Sequence, residues 1–319
     1  MDDGLDAPAE RTLSQCLALA PEESCAIVTD ARREPIANAL YEAAETITDD
    51  VTIARYPVGN QHGEEPPAPV AAALAGADVA LAPTTKSLSH TTARVEATEA
   101  GTRMATLPGI TEEVFGVGLE ADYKAIGAAC RRLFEQVGDA DQLRITTPQG
   151  TDLTVQTGDR SWREDTGLVH EPGAFSNLPA GEVFLSPATG EGRVVVDGTM
   201  MPHGRLGPDQ RIAFEVTDGQ VTTVEDDALA GELAAAAESV EEDAYNLAEV
   251  GIGTNVGVTE LLGSVLLDEK AAGTVHVAIG DDHGIGGDVV APVHLDGILT
   301  DPTVYADGEP VELPAEGPR

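Results

Sequence analysis

Short apolar runs alternate with amphipathic stretches through roughly the first 137 residues of this chain. Leu13, Cys16, Leu17 and Leu19 mark an opening helical segment. Cys25-Ala26-Ile27-Val28 then reads as a buried strand, and Ile36, Ala39, Leu40 and Ala43 recur at the spacing of one helical face over residues 34–47. The alternation continues, with strands expected at 51–54, 78–81 and 103–107 and helices at 70–75, 91–100 and 114–137. Such a βαβα succession builds a parallel open sheet, because parallel neighbours need a crossover that a helix supplies. No GxGxxG follows any of these strands, so the pattern does not carry a dinucleotide site.

Beyond Gly138-Asp139-Ala140-Asp141 the period shortens to two. Residues 143–147 and 153–156 alternate on either side of Pro148-Gln149-Gly150, which is a hairpin signal. Further short strands are expected at 182–185, 193–196 and 211–216, interrupted by one helix over 229–247 whose Glu232, Glu238, Glu241 and Glu242 face solvent. The expected fold class is therefore α/β: a Rossmann-like open parallel sheet over residues 1–138, followed by a β-rich α+β domain over 139–319.

Candidate chemistry falls in two places. In open parallel sheets ligands sit beyond the carboxyl ends of the strands. Thr84, Thr85, Ser87, His90 and Arg94 follow the third expected strand, which makes Ser87, His90 and Arg94 candidate substrate-binding residues; the competing reading is that Ser87 or Ser89 caps the next helix. The second place is richer. Three of the seven histidines, His276, His283 and His294, lie within residues 276–294 beside Asp281, Asp282, Asp288 and Asp296. Alternation puts His276 on the face of its strand opposite Val275 and Val277, and puts His294 and Asp296 on one face of the next. Gly284, Gly286 and Gly287 let the chain turn back between them. Two imidazoles and a carboxylate brought together this way suit zinc or iron(II).

Charge narrows the partners. Acidic residues number 56 against 18 basic, for a net charge of −38, and only Lys86, Lys124 and Lys270 are lysines. A dispersed carboxylate excess with scarce lysine fits a surface screened by concentrated salt. It disfavours nucleic acid, whose phosphates call for clustered cations. Cys16, Cys25 and Cys130 have no metal spacing, and no apolar run reaches the ~18 residues of a membrane span. The expectation is a salt-adapted cytoplasmic protein with neither a membrane nor a nucleic-acid partner.

Asn177-Leu178-Pro179-Ala180-Gly181-Glu182-Val183-Phe184 sets a carboxylate straight after a stiff Pro/Gly turn, and Ala248-Glu249-Val250-Gly251-Ile252-Gly253 sets another where the long helix is expected to give way to a glycine-rich loop. These two segments, with DEKAAGTVHVAIG and VHLDG after them, resemble the four successive motifs of the thermophilic aminopeptidases of the aminopeptidase T and S type. TTKSLSHTTAR and ATLPGI are similar to segments of their N-terminal domain, so the resemblance runs from about residue 75. It implies a two-metal site held by Glu182, Glu249, His276, His294 and Asp296, with zinc, cobalt or manganese as the ions. It further implies Glu249 as the base for a metal-bound water, a small peptide as substrate, and a homodimer. The family's tyrosine, seven residues beyond the first ligand histidine, is replaced here by His283. That residue is therefore placed in the catalytic set as a substitute donor, with metal ligand and plain surface residue as the other readings. The loop between His276 and His294 is also shorter than in the larger aminopeptidases. The expected activity is a metallo-aminopeptidase. The alternatives are the non-haem iron dioxygenase of the same superfamily, which opens dihydroxypyridine rings and would use His276, His294 and Asp296, and a non-catalytic metal-binding member.

Overall fold

The computed structural model describes residues 4–314; the extreme ends of the two expected domains, residues 1–3 and 315–319, lie outside the described residues. Two units are present, one comprising residues 1–125 with 167–180, the other 126–166 with 181–319.

The chain begins with α1 (Asp6–Arg11) and a π-helical turn over Thr12–Cys16. It then alternates β1 (Cys25–Asp30), α2 (Glu34–Glu45), β2 (Val51–Tyr56), α3 (Ala68–Ala75), β3 (Val79–Thr84), α4 (Thr92–Glu99) and β4 (Arg103–Pro108), and continues with α5 (Glu112–Leu119). These four strands pair in parallel in the order β2-β1-β3-β4. All six residues of β1 and of β3 are buried, which is why both read as continuous apolar runs: a strand covered on both faces has no polar side to show. Helix α4 is capped by Thr91, whose hydroxyl accepts from the Arg94 amide at 3.2 Å, so neither Ser87 nor Ser89 is the cap.

One long helix expected over 114–137 is two. After α5 the chain breaks, and α6 (Tyr123–Val137) restarts where Asp122 Oδ1 accepts from the Lys124 amide at 3.1 Å. The boundary between the units falls inside α6, ahead of residue 138. Strands β5 (Gln142–Thr146), β6 (Asp152–Gln156) and β7 (Arg163–Asp165) follow, and the chain then returns to the first unit: β8 (Phe175–Asn177) adds to β4 in parallel as a fifth strand.

The second unit carries two seven-stranded sheets. Its remaining strands are β9 (Glu182–Leu185), β10 (Thr189–Val196), β11 (Thr199–Met200), β12 (Gly204–Arg205), β13 (Ile212–Thr217) and β14 (Gln220–Val224), then β15 (Leu247–Gly253), β16 (Val275–Gly280), β17 (His294–Leu299), β18 (Thr303–Ala306) and β19 (Glu309–Pro310). One sheet runs β14-β13-β10-β6-β5-β18-β19 and holds the expected β5–β6 hairpin, with Leu143 opposite Val155. The other runs β12-β11-β17-β16-β15-β9-β7, antiparallel throughout.

The helix expected to reach residue 247 stops early. Asp226 caps α7 (Asp227–Val240) by accepting from the Leu229 amide at 2.8 Å, and Glu241, at φ 51° and ψ −123°, takes the chain out of the helix. After a 3-10 turn over Glu241–Tyr245 the segment expected to be a glycine-rich loop is instead β15, buried along its whole length. The short α8 (Val265–Asp268) precedes β16.

Candidate metal centre

Four neighbouring strands, β17, β16, β15 and β9, each present part of one cluster. Glu182 opens β9 opposite Gly253, His276 on β16 lies opposite Gly251, and Asp296 and His294 on β17 lie opposite Ala278 and Gly280. Glu249 sits beside a β-bulge in β15. Bulges re-aim side chains next to functional sites, and this one accompanies the carboxylate at the middle of the cluster.

Gly251 explains how His276 fits. A Cβ built on Gly251 would fall 2.0 Å from His276 Nε2 and 2.1 Å from Cε1, so that edge of the imidazole lies directly against bare backbone. Gly251 has no positive φ, and close approach is what the position requires.

Glu249 holds both imidazoles: His276 Nε2 is 3.2 Å from its Oε1, and His294 Nε2 is 3.3 Å from its Oε2. Asp296 Oδ1 is 3.4 Å from His294 Nε2, and Glu182 Oε2 is 3.4 Å from His276 Nε2. Donor atoms of Glu182, Glu249 and His276, and of Glu249, His294 and Asp296, lie within 4.8 Å of one another in each set. All five expected ligands are thus brought together. His294 Nδ1 lies 2.7 Å from the Asp281 carbonyl, which can only accept, so Nδ1 carries a proton and Nε2 is the nitrogen that faces Glu249 and Asp296.

The electrostatics are those of a site built for a cation. Burial works to lower the His276 pKa, but the hydrogen bond to Glu249 and the Glu182 charge push it up to about 9. Burial opposes the His294 shift too, yet the Asp296 and Glu249 carboxylates raise it well above the ordinary imidazole value. Against burial, the two imidazoles hold Glu249 far below the usual carboxylate range, and His294 holds Asp296 down. Glu182 goes the other way, raised by burial to about 8 against the pull of the Lys270 ammonium. Glu182 Oε2 is buried and receives no hydrogen bond among the described residues. Two imidazoles, three carboxylates and a buried acceptor without a donor fit a divalent ion.

Two members of the cluster were not anticipated. Lys270 Nζ lies in short contact with Glu182 Oε1 and 2.7 Å from Glu269 Oε1, with 6% of the side chain exposed. The sequence signal was available, since Lys270 is one of only three lysines. His283, expected in the catalytic set, lies in an exposed 3-10 turn, His283–Ile285, its amide donating to the Val289 carbonyl at 3.0 Å. Ser87, His90 and Arg94 belong to the first unit. There the Ser87 hydroxyl donates to Ser89 Oγ, His90 is exposed, and Arg94 donates Nε–H to the Ser89 carbonyl at 2.7 Å while its guanidinium stacks on Phe175 at 4.6 Å.

Residues 6–313 match the family model described as NicX, 2,5-dihydroxypyridine 5,6-dioxygenase. The chain belongs to that family. A solved 2,5-dihydroxypyridine dioxygenase from Pseudomonas putida KT2440 is similar to this NicX-family chain at a TM-score of 0.80 and 21% identity, covering 98% of this chain and 96% of that one. Wild-type AmpT from Thermus thermophilus is similar at a TM-score of 0.68 and 19% identity, covering 98% of both chains. At such identities the two structures show the α/β fold alone. A search of curated proteins returns no significant match. The expectation of a metallo-aminopeptidase, and with it of a hydrolase acting on small peptides, is overturned: the aminopeptidase T likeness is one of fold, and the family is that of the dioxygenase. Among the described residues no helix is long and apolar enough to cross a membrane.

Proposed function

We propose that this NicX-family protein is a non-haem iron(II) dioxygenase that opens a hydroxylated pyridine ring, with one ion held by His276, His294 and Asp296. The observation that carries the reading is the pair of imidazole Nε2 atoms closing on one carboxylate, with Asp296 beside the second imidazole, in a chain that matches its family over residues 6–313. His276, His294 and Asp296 would hold the ion, and iron(II) bound there would supply the redox chemistry that an electron-rich ring and dioxygen require. Lys270 supports a single ion, because Glu182, one of the carboxylates a second ion would need, already has a cation against it.

The chain's own groups do the rest. The Asp281 carbonyl fixes the His294 tautomer. Glu249 holds its negative charge against both imidazoles and draws their Nε2 atoms toward one point. The apolar residues of β15 and β16, all buried, keep water from the cluster's sheet side.

The test is anaerobic reconstitution with iron(II) in high salt, then addition of 2,5-dihydroxypyridine and oxygen. The expected result is loss of the ring's ultraviolet absorbance with about one dioxygen consumed per ring, absent in Asp296→Ala. Bound iron without any oxygen uptake would refute the reading.

A further inference from the structure

Asp282 is a carboxylate that the site does not use directly, and it is 3% exposed. Its Oδ1 accepts from the Val289 amide at 2.7 Å. Its Oδ2 accepts from the Ser186 hydroxyl at 2.9 Å and from Asn246 Nδ2 at 3.1 Å. Its backbone carbonyl accepts from the Ile285 and Gly287 amides at 3.1 and 2.9 Å. Gly287 packs so tightly beneath the carboxylate that a Cβ there would fall 1.9 Å from Asp282 Cγ.

The partners flank the four strands of the cluster. Ser186 directly follows β9, which starts with Glu182; Asn246 directly precedes β15, which carries Glu249; and Val289 lies in the connection from β16 to β17, the strands of His276 and His294. Asn246 also donates Nδ2–H to the Gly280 carbonyl at 3.0 Å, and the Gly280 amide returns a bond to the Asn246 carbonyl at 2.8 Å. One buried carboxylate thus fastens the connection to the ends of two neighbouring ligand strands.

His294 is the ligand that needs this. Its side chain is 32% exposed, against 1% for His276, so packing does not settle where it points. Beside the 3.3 and 3.4 Å approaches of Nε2 to Glu249 and Asp296, what orients it is the shorter 2.7 Å bond from Nδ1–H to the carbonyl of Asp281, the residue immediately before Asp282. The partner of a ligand imidazole's far nitrogen fixes both tautomer and ring orientation.

We infer that Asp282, whose hydrogen bonds reach none of the metal-donor groups, is the positioning residue for His294, acting by clamping the turn that presents the Asp281 carbonyl. The inference rests on the metal reading proposed above. Asp282→Asn preserves the shape but sets an amide donor against the amide of Asn246 or the amide of Val289, so the clamp loosens. Ser186→Ala removes one donor and leaves the carboxylate in place.

Cobalt(II), titrated anaerobically and followed by its visible absorption, is the probe. Asp282→Asn should weaken binding about 10–100-fold, and Ser186→Ala by less, with melting temperatures showing both variants folded. In a His294→Ala background Asp282→Asn should cost nothing more, because the residue it acts through is gone. An equal loss in both backgrounds, or unchanged affinity in the single variants, would overturn the inference. A second readout needs no metal: the hydrogen-bonded Nδ1–H proton of His294, assigned by its loss in His294→Ala, should vanish in Asp282→Asn. Its persistence would also overturn the assignment. If the wild type bound neither cobalt nor iron, the proposed function would fall while the proton resonance still decided the role of Asp282.

Discussion

Gly251→Ala is the sharpest perturbation of this site. The backbone of Gly251 has no positive φ, so alanine is conformationally allowed and any effect must come from the added methyl. That methyl would stand 2.0 Å from His276 Nε2 and 2.1 Å from Cε1. Ordinary contact needs about 3.5 Å, so the ring has to retreat by about 1.5 Å. His276 is 1% exposed, so the ring can retreat only into the protein interior. The retreat would break the 3.2 Å approach to Glu249 and the 3.4 Å approach to Glu182. Overpacking of this kind costs about 1–3 kcal/mol of stability, while a displacement of about 1 Å in a catalytic constellation costs about a hundredfold in rate. Gly251→Ala should therefore remain folded with a lowered melting temperature, bind iron poorly, and lose at least about a hundredfold in ring-opening turnover. Near wild-type metal content together with near wild-type turnover would show that His276 does not lie over Gly251 as described, and the ligand set would need revision.

Metal affinity should fall as pH falls. In the metal-free fold His276 holds a proton up to about 9 and His294 is raised as well, whereas a ligand imidazole must be neutral. Each imidazole deprotonated on binding makes apparent affinity rise about tenfold per pH unit below its pKa, and a flat profile between pH 6 and pH 8 would refute the assignment. Asp268→Ala should destabilise by about 3 kcal/mol, because it strands buried donors: the Thr199 hydroxyl at 2.6 Å and the Leu262 and Gly263 amides at 2.8 Å. An unchanged melting curve would count against that account. With a net charge of −38, the melting temperature should climb with potassium chloride as self-repulsion is screened, and a flat salt profile would remove the case for salt adaptation.

The grouping of His276, His294 and Asp296 was legible in the sequence because period-two alternation is independent of tertiary context. His294 and Asp296 had to share a face, and they do, at 3.4 Å. The parallel sheet was legible for a related reason, since strands buried on both faces leave uninterrupted apolar runs such as Cys25–Val28. What failed was the stretch around Glu249. Two glycines in seven residues suggest a loop, yet Gly251 and Gly253 lie inside a buried strand because His276 and the Ala271 backbone press against them. Glycine marks close approach as readily as it marks a turn, and sequence alone does not say which. The excursion of Phe175–Asn177 back to β4 was equally invisible, since three residues carry no measurable period.

The class of reaction was the hardest thing to read, and the reason is chemical. Imidazole and carboxylate suit zinc, manganese and iron(II) alike, so a cluster of such groups does not choose between hydrolysis and oxygenation. Glu182 and Glu249 were weighed toward a second ion and hence toward hydrolysis. Lys270, two positions after the end of α8, sets a buried ammonium against Glu182, one of the carboxylates a second ion would need. His283, which stands where the peptidases have a tyrosine, lies exposed in a turn, its amide bonded to the Val289 carbonyl. A ligand motif names the groups that can touch a metal; the buried charges around it decide how many ions the pocket tolerates, and so what chemistry follows.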